Sequence, residues 1–250
     1  MRGASGRLRI VSVFPTAQAA VDEAADRIAA YAENAIAARG RFSCCLAGGK
    51  TPLPLYRKLA GEPYRLTFPW SKTSVFFSDE RSVAPESPES NYGSVARALF
   101  DHVALEPSRI HRMDAGRSDE DDAVLEYAAA LHARLGPEGR LDLAILGMGS
   151  DGHAASLFPG SSALQEHDRW VVTTTAPDGA RRMTLTLALL NRARHVLFFV
   201  VGRDKAAMAK RILRGGAEDM MMPAARVTSL GGIVQWILDS EAAAELMNGG

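Results

Sequence analysis

The chain has 250 residues, 47% of them hydrophobic, which is enough for one large domain or two small ones. Its 29 Lys and Arg residues are matched by 29 Asp and Glu, so no broad positive field exists to hold a nucleic acid or an anionic membrane by charge alone. No run approaches the roughly 20 apolar residues that cross a bilayer, and the apolar stretch after Arg9 is shorter than the roughly 7 to 15 residues of a signal-peptide core. A cytoplasmic protein is expected. The only cysteines, Cys44 and Cys45, are adjacent; neighbours in an extended strand face opposite ways, so buried reduced thiols are expected in place of a disulfide.

In chain order, residues 8–14 read as a first strand. Thr16 is placed to cap a helix reaching Arg39, with Val21, Ala24, Ala25, Ile28, Ala32 and Ala35 as its apolar stripe and Gly40 as a left-handed stop. A strand over 41–46, a helix over 53–59 and a strand over 73–77 follow. Residues 84–90, with two prolines and two glutamates, read as a surface loop, a candidate lid or rim. Helices are expected over 92–100 and 119–135, then strands over 141–146, 170–175 and 194–201, and finally helices over 204–213 and 233–246. The strands at 141–146 and 195–201 are almost continuously apolar, the pattern of strands covered on both faces, and belong in mid-sheet. This alternation predicts one α/β domain over residues 1–250, with a largely parallel sheet flanked by helices.

Ligands of such sheets bind outside the carboxyl ends of the strands, and four loops there carry candidate chemistry. Gly48, Gly49, Lys50, Thr51 and Pro52 join a strand to a helix; glycine backbone and a helix start suit a phosphate, although the spacing is not that of a Walker loop and a plain tight turn is the alternative. Asp79, Glu80 and Arg81 gather charge where an apolar strand ends: Arg81 is a fork for phosphate or carboxylate, and either acid is placed to orient a base or an arginine, unless the cluster is only a solvated ion pair.

Gly147-Met148-Gly149-Ser150-Asp151-Gly152-His153 satisfies G-x-G-x-x-G, but Pro159-Gly160 stop the following helix after about two turns. No acidic residue ends the next strand, so no nucleotide is expected. What the loop offers is general-base equipment, Asp151 two residues before His153. A Ser-His-Asp triad is disfavoured, since no G-x-S-x-G elbow exists. Finally, Arg181-Arg182 and Gly202-Arg203-Asp204-Lys205 bring cations; Lys205 on a helix's first turn opposes the helix dipole unless an anion shares the site. The six histidines show no metal-binding spacing, so no metal and no cofactor are expected.

Together, Leu46-Ala47-Gly48-Gly49-Lys50-Thr51-Pro52, Asp79-Glu80-Arg81 with Ser90-Asn91-Tyr92, residues 147–159, Arg182-Met183-Thr184-Leu185-Thr186, Gly202-Arg203-Asp204-Lys205 and Gly232-Ile233-Val234-Gln235-Trp236-Ile237-Leu238-Asp239 resemble the 6-phosphogluconolactonase family, within the wider sugar-phosphate isomerase and glucosamine-6-phosphate deaminase superfamily. Ala154 stands where that family often has threonine. The resemblance implies a Rossmann-like fold without a nucleotide and hydrolysis of 6-phospho-D-glucono-1,5-lactone in the pentose phosphate pathway. His153 is then expected to activate water, with Asp151 or Asp79 orienting it. The phosphate is expected at Lys205, Arg81 and the amides of Gly48 and Gly49, with Lys50 and Arg182 as further contributors, and Thr51, Asn91 and Gly149 are expected to complete the substrate site. The expected partner is the sugar-phosphate lactone alone, with no nucleic acid or membrane, on a monomer or weak homo-oligomer. The rivals are a deaminase or isomerase of an amino-sugar phosphate and a silent sugar-phosphate sensor.

Overall fold

The computed structural model describes residues 9–216, 218–229 and 233–247; Leu8 and Gly232, which the sequence reading includes, lie outside them. In chain order the elements are β1 (Arg9–Phe14), α1 (Ala17–Arg39), β2 (Phe42–Leu46), α2 (Leu53–Ala60), α3 (Tyr64–Thr67), β3 (Thr73–Phe77), β4 (Asp79–Arg81), α4 (Asn91–Ala98) and α5 (Glu120–Leu135). Then come β5 (Leu143–Leu146), β6 (Val171–Thr175), β7 (Arg181–Leu185), α6 (Leu187–Leu190), β8 (His195–Val200), α7 (Ala206–Arg214), α8 (Pro223–Arg226), β9 (Ile233–Asp239) and α9 (Ala244–Met247).

Six strands form one sheet in the order β1-β9-β8-β5-β2-β3, and every pairing in it is parallel. As their unbroken apolarity predicts, β5 and β8 lie in its middle, with every residue of β5 and all of β8 after His195 buried. Phe198 of β8 stacks on Trp236 of β9 with ring centroids 4.0 Å apart. The first helix behaves as its ends dictate: the Thr16 hydroxyl accepts from the Ala19 N–H, Gly40 stops it at φ 71°, and the alanine-rich stripe is buried. Cys44 and Cys45 are buried free thiols in β2. No helix among the described residues is long and apolar enough to cross a membrane.

In the main sheet the structure corrects two expectations. Residues 233–246 are not one helix: β9 inserts between β1 and β8, and only the short α9 follows. A short unbroken apolar run fits a buried helix and a buried strand equally by periodicity; the β-branched and aromatic residues Ile233, Val234, Trp236 and Ile237 mark this one as a strand. The strand at 170–175 exists, but it leaves the main sheet. It is the edge of a three-stranded antiparallel sheet, β4-β7-β6, in which Asp79 faces Thr184 and Arg81 faces Arg182.

At the amino-terminal edge of the main sheet, Asp142 is buried where the chain enters β5. Its carboxylate accepts from the Ser43 N–H (2.8 Å), the Ser43 hydroxyl (2.9 Å) and the Arg39 guanidinium (2.8 Å). This knot ties α1, β2 and β5 together.

Candidate active site

The opposite, carboxyl-terminal edge holds an open cleft of about 200 Å³. The loop leaving β5 folds back on itself: the Gly149 N–H donates to the His153 carbonyl (2.9 Å) and the Gly152 N–H to the Gly149 carbonyl (3.0 Å). The two helical turns expected after Gly152 do not form. Gly152 at φ 83° and Ala155 at φ 50° are left-handed, and a helix cannot run through them.

This compact loop presents His153, whose ring Nδ1 lies 2.6 Å from Asp151 Oδ1; the same oxygen accepts the His153 N–H at 3.1 Å. A Cβ at position 149 would sit 2.2 Å from His153 Nδ1 and 2.4 Å from Asp151 Oδ1, so the pair exists because residue 149 has no side chain. Of the two acids that were candidates to orient the imidazole, Asp151 is the one in contact with it. Because a carboxylate only accepts, it selects the tautomer with hydrogen on Nδ1 and leaves the Nε2 lone pair free. Phe158 covers the ring at a centroid distance of 4.9 Å.

Asp79 also lines the cleft but is engaged elsewhere, accepting from the Ser78 hydroxyl (2.9 Å) and the Ser156 hydroxyl (2.7 Å). Glu80 turns away from the cleft and is buried. Its carboxylate accepts from the N–H groups of Arg81, Asn91 and Tyr92, each at 2.8 Å, and from the Ser90 hydroxyl at 3.1 Å. Burial pushes the Glu80 carboxyl above the usual carboxylate range, while these backbone donors pull it back. Glu80 thereby fastens the start of α4 to β4 and delivers Asn91. The Asn91 amide donates to the Asp79 carbonyl (2.9 Å) and accepts from the Gly49 N–H (3.3 Å). A Cβ on Gly48 would lie 1.9 Å from Asn91 Cγ, so the first glycine is required for this approach. The glycine loop is therefore less open to an anion than expected, because the Gly49 amide is turned toward Asn91.

Arg81 reaches the cleft while donating to the Glu89 carbonyl, which ties it to the 84–90 segment, although no residue of that segment lines the cleft. Across from it, Lys205 lines the cleft with its ammonium 2.9 Å from Asp204. Lys205 immediately precedes α7. The turn before it is set by Asp239 at the end of β9, whose carboxylate accepts the Gly202 N–H at 3.0 Å.

Gly48, Gly49, Thr51, Asn91 and Gly149 also line the cleft. Lys50 and Arg182 do not: Lys50 is exposed, and the Arg182 guanidinium leans back to the Arg181 carbonyl at 3.3 Å. Ala154 is fully buried and lies behind the lining. The sequence reading missed the wall formed by Phe199, Val200 and Val201 and the supporting Ser156. The position of 199–201 at the end of a central strand was the available signal. Among the described residues no group of three or more His, Cys, Asp or Glu side chains is placed to hold a metal ion.

A histidine–carboxylate pair and two cations converging at the carboxyl ends of a parallel sheet define an α/β enzyme scaffold for a small anionic substrate. The chain belongs to the glucosamine-6-phosphate isomerases/6-phosphogluconolactonase family, whose model matches residues 15–236. It is 37% identical over 240 residues to the 6-phosphogluconolactonase of Synechocystis, covering 94% of this chain and 98% of that protein. To the 6-phosphogluconolactonase of Aggregatibacter actinomycetemcomitans it is 35% identical over 230 residues, covering 92% and 97%. The solved structure of 6-phosphogluconolactonase from Trypanosoma brucei superimposes with a TM-score of 0.83 at 27% identity, covering 95% of this chain and 98% of that one.

Proposed function

We propose that the protein, working as a single α/β domain, hydrolyses 6-phospho-D-glucono-1,5-lactone to 6-phosphogluconate, the lactonase step of the pentose phosphate pathway. The observation that carries this reading is the His153–Asp151 pair at 2.6 Å, on the same cleft as Arg81 and Lys205. One group of residues suits a carbonyl to be attacked by water, and the other suits a phosphate at the far end of the substrate.

In this mechanism His153 Nε2 takes a proton from water as the oxygen attacks the lactone carbonyl, and Asp151 holds the ring and supports the imidazolium. The carbonyl electrons move onto oxygen and return as the ring C–O bond breaks. The proton held by His153 passes to the leaving ring oxygen, so the histidine ends as it began and no covalent enzyme intermediate forms. Arg81 and Lys205 hold the phosphate. Arg182 stands one strand away, as a source of field more than of contact.

The test follows hydrolysis of freshly generated lactone by the purified protein with chelator present, beside His153→Ala and an enzyme-free control. Acceleration lost in the variant is the expected result. No acceleration over the control, with turnover of glucosamine 6-phosphate instead, would move the chain to the deaminase branch; binding without turnover of either would leave a sensor.

A further inference from the structure

Ser156 lies three residues after His153, is 2% exposed and stands behind the cleft lining. Two buried hydrogen bonds hold it: its N–H donates to the Thr184 hydroxyl of β7 (3.2 Å), and its own hydroxyl donates to Asp79 Oδ2 (2.7 Å). Ala155, just before it, is the one non-glycine residue with positive φ among those described, and it lines the cleft. A left-handed alanine persists only where its surroundings hold it, and the bonds of Ser156 are the restraint on its carboxyl side. From Asp79 the chain of contacts continues through its carbonyl to Asn91 and from Asn91 to the Gly49 N–H. The histidine loop and the glycine loop are thus joined through Ser156, Asp79 and Asn91.

We propose that Ser156 is a positioning residue that acts through Asp79. Its hydroxyl, with that of Ser78 on the other carboxylate oxygen, stops Asp79 from rotating. The remaining lone pairs of Asp79 then stay directed at the cleft, where the hydroxyl groups of a sugar-derived substrate can donate to them. The role concerns seating of substrate more than proton transfer, since neither Ser156 nor Asp79 is hydrogen-bonded to the His153 side chain. This rests on the lactonase reading.

The experiment measures KM and kcat for the lactone, and calorimetric Kd for 6-phosphogluconate, in wild type, Ser156→Ala, Asp79→Ala and the double variant. Ser156→Ala is expected to raise KM and Kd about 10-fold, with a smaller change in kcat, as befits a lost hydrogen bond to a charged group. In the Asp79→Ala background the same substitution should change Kd less than about twofold, because the group it acts through is gone. Wild-type KM and Kd in Ser156→Ala, or effects that multiply independently in the double variant, would overturn the proposal. So would a lowered melting temperature and active fraction at unchanged KM, the mark of a purely structural serine. Ser156→Cys keeps a weaker donor in the same space and should recover part of the lost affinity; no recovery counts against the hydroxyl, and this comparison stands even if Asp79→Ala does not fold. A wild type without lactone turnover defeats the function, while the Kd comparison still decides the role of Ser156.

Discussion

The two edges of the parallel sheet carry the same kinds of side chain and use them differently. At the amino-terminal edge, Asp142 also borders a surface pocket, but donors from Ser43 and Arg39 occupy its carboxylate and its side chain is only 5% exposed, so its bonding capacity is spent inside the protein. At the carboxyl-terminal edge, His153, Arg81 and Lys205 each have one internal partner and also face a cleft. Charge at the end of a strand is therefore no sign of a site by itself. What distinguishes a site is unsatisfied capacity directed at space that a ligand can enter.

Substitutions can test this contrast. The largest effect is expected for His153→Ala, which should lower kcat about 1,000-fold, as for removal of a general base, with unchanged melting temperature and product affinity. Turnover within tenfold of wild type would show that the paired imidazole is not the base. Asp142→Ala should do the reverse, costing about 2–3 kcal/mol of unfolding free energy by leaving buried Ser43 donors unpaired while the folded fraction keeps wild-type kcat. Denaturant titration beside activity separates the two, and lost activity at full stability would erase the distinction between the edges. Lys205→Ala should weaken 6-phosphogluconate binding about 10-fold, the worth of one charge-assisted contact, with little change in kcat. Full affinity would remove Lys205 from the phosphate site. Smallest is Arg182→Ala, outside the lining, for which calorimetry should show less than about a twofold change in Kd, as for a screened and solvated charge.

Much of the fold and of the carboxyl-terminal edge was legible in the sequence; the Asp142 knot was not. The buried central strands, the capped first helix and the loops bearing Gly48, Asp79, His153 and Lys205 follow from local rules of apolarity, capping and glycine placement, which neighbouring residues carry by themselves. What escaped depends on residues far apart. β4 exists only because Asp79–Arg81 meets residues 182–184 of β7 across about a hundred residues, and three residues of charge give no strand pattern alone. Glu80, a candidate to orient a base or an arginine, proved to be the anchor of α4, a role visible only once Asn91 and Tyr92 are brought to it. The helix after Gly152 failed for a local reason the pattern did not expose, the left-handed turn at Ala155.

The place of β9 has a consequence for synthesis. β1, the first strand of the described chain, pairs in the main sheet with β9 alone, and β9 is the last. At about 5–20 residues per second, a ribosome needs roughly 10–45 s to pass from Phe14 to Asp239. Throughout that interval β1 is without its strand partner, with valines at positions 11 and 13 that stay partly exposed even in the finished fold. A nascent chain halted before Ile233 would carry an open, apolar strand edge, a natural target for chaperones and a seed for aggregation.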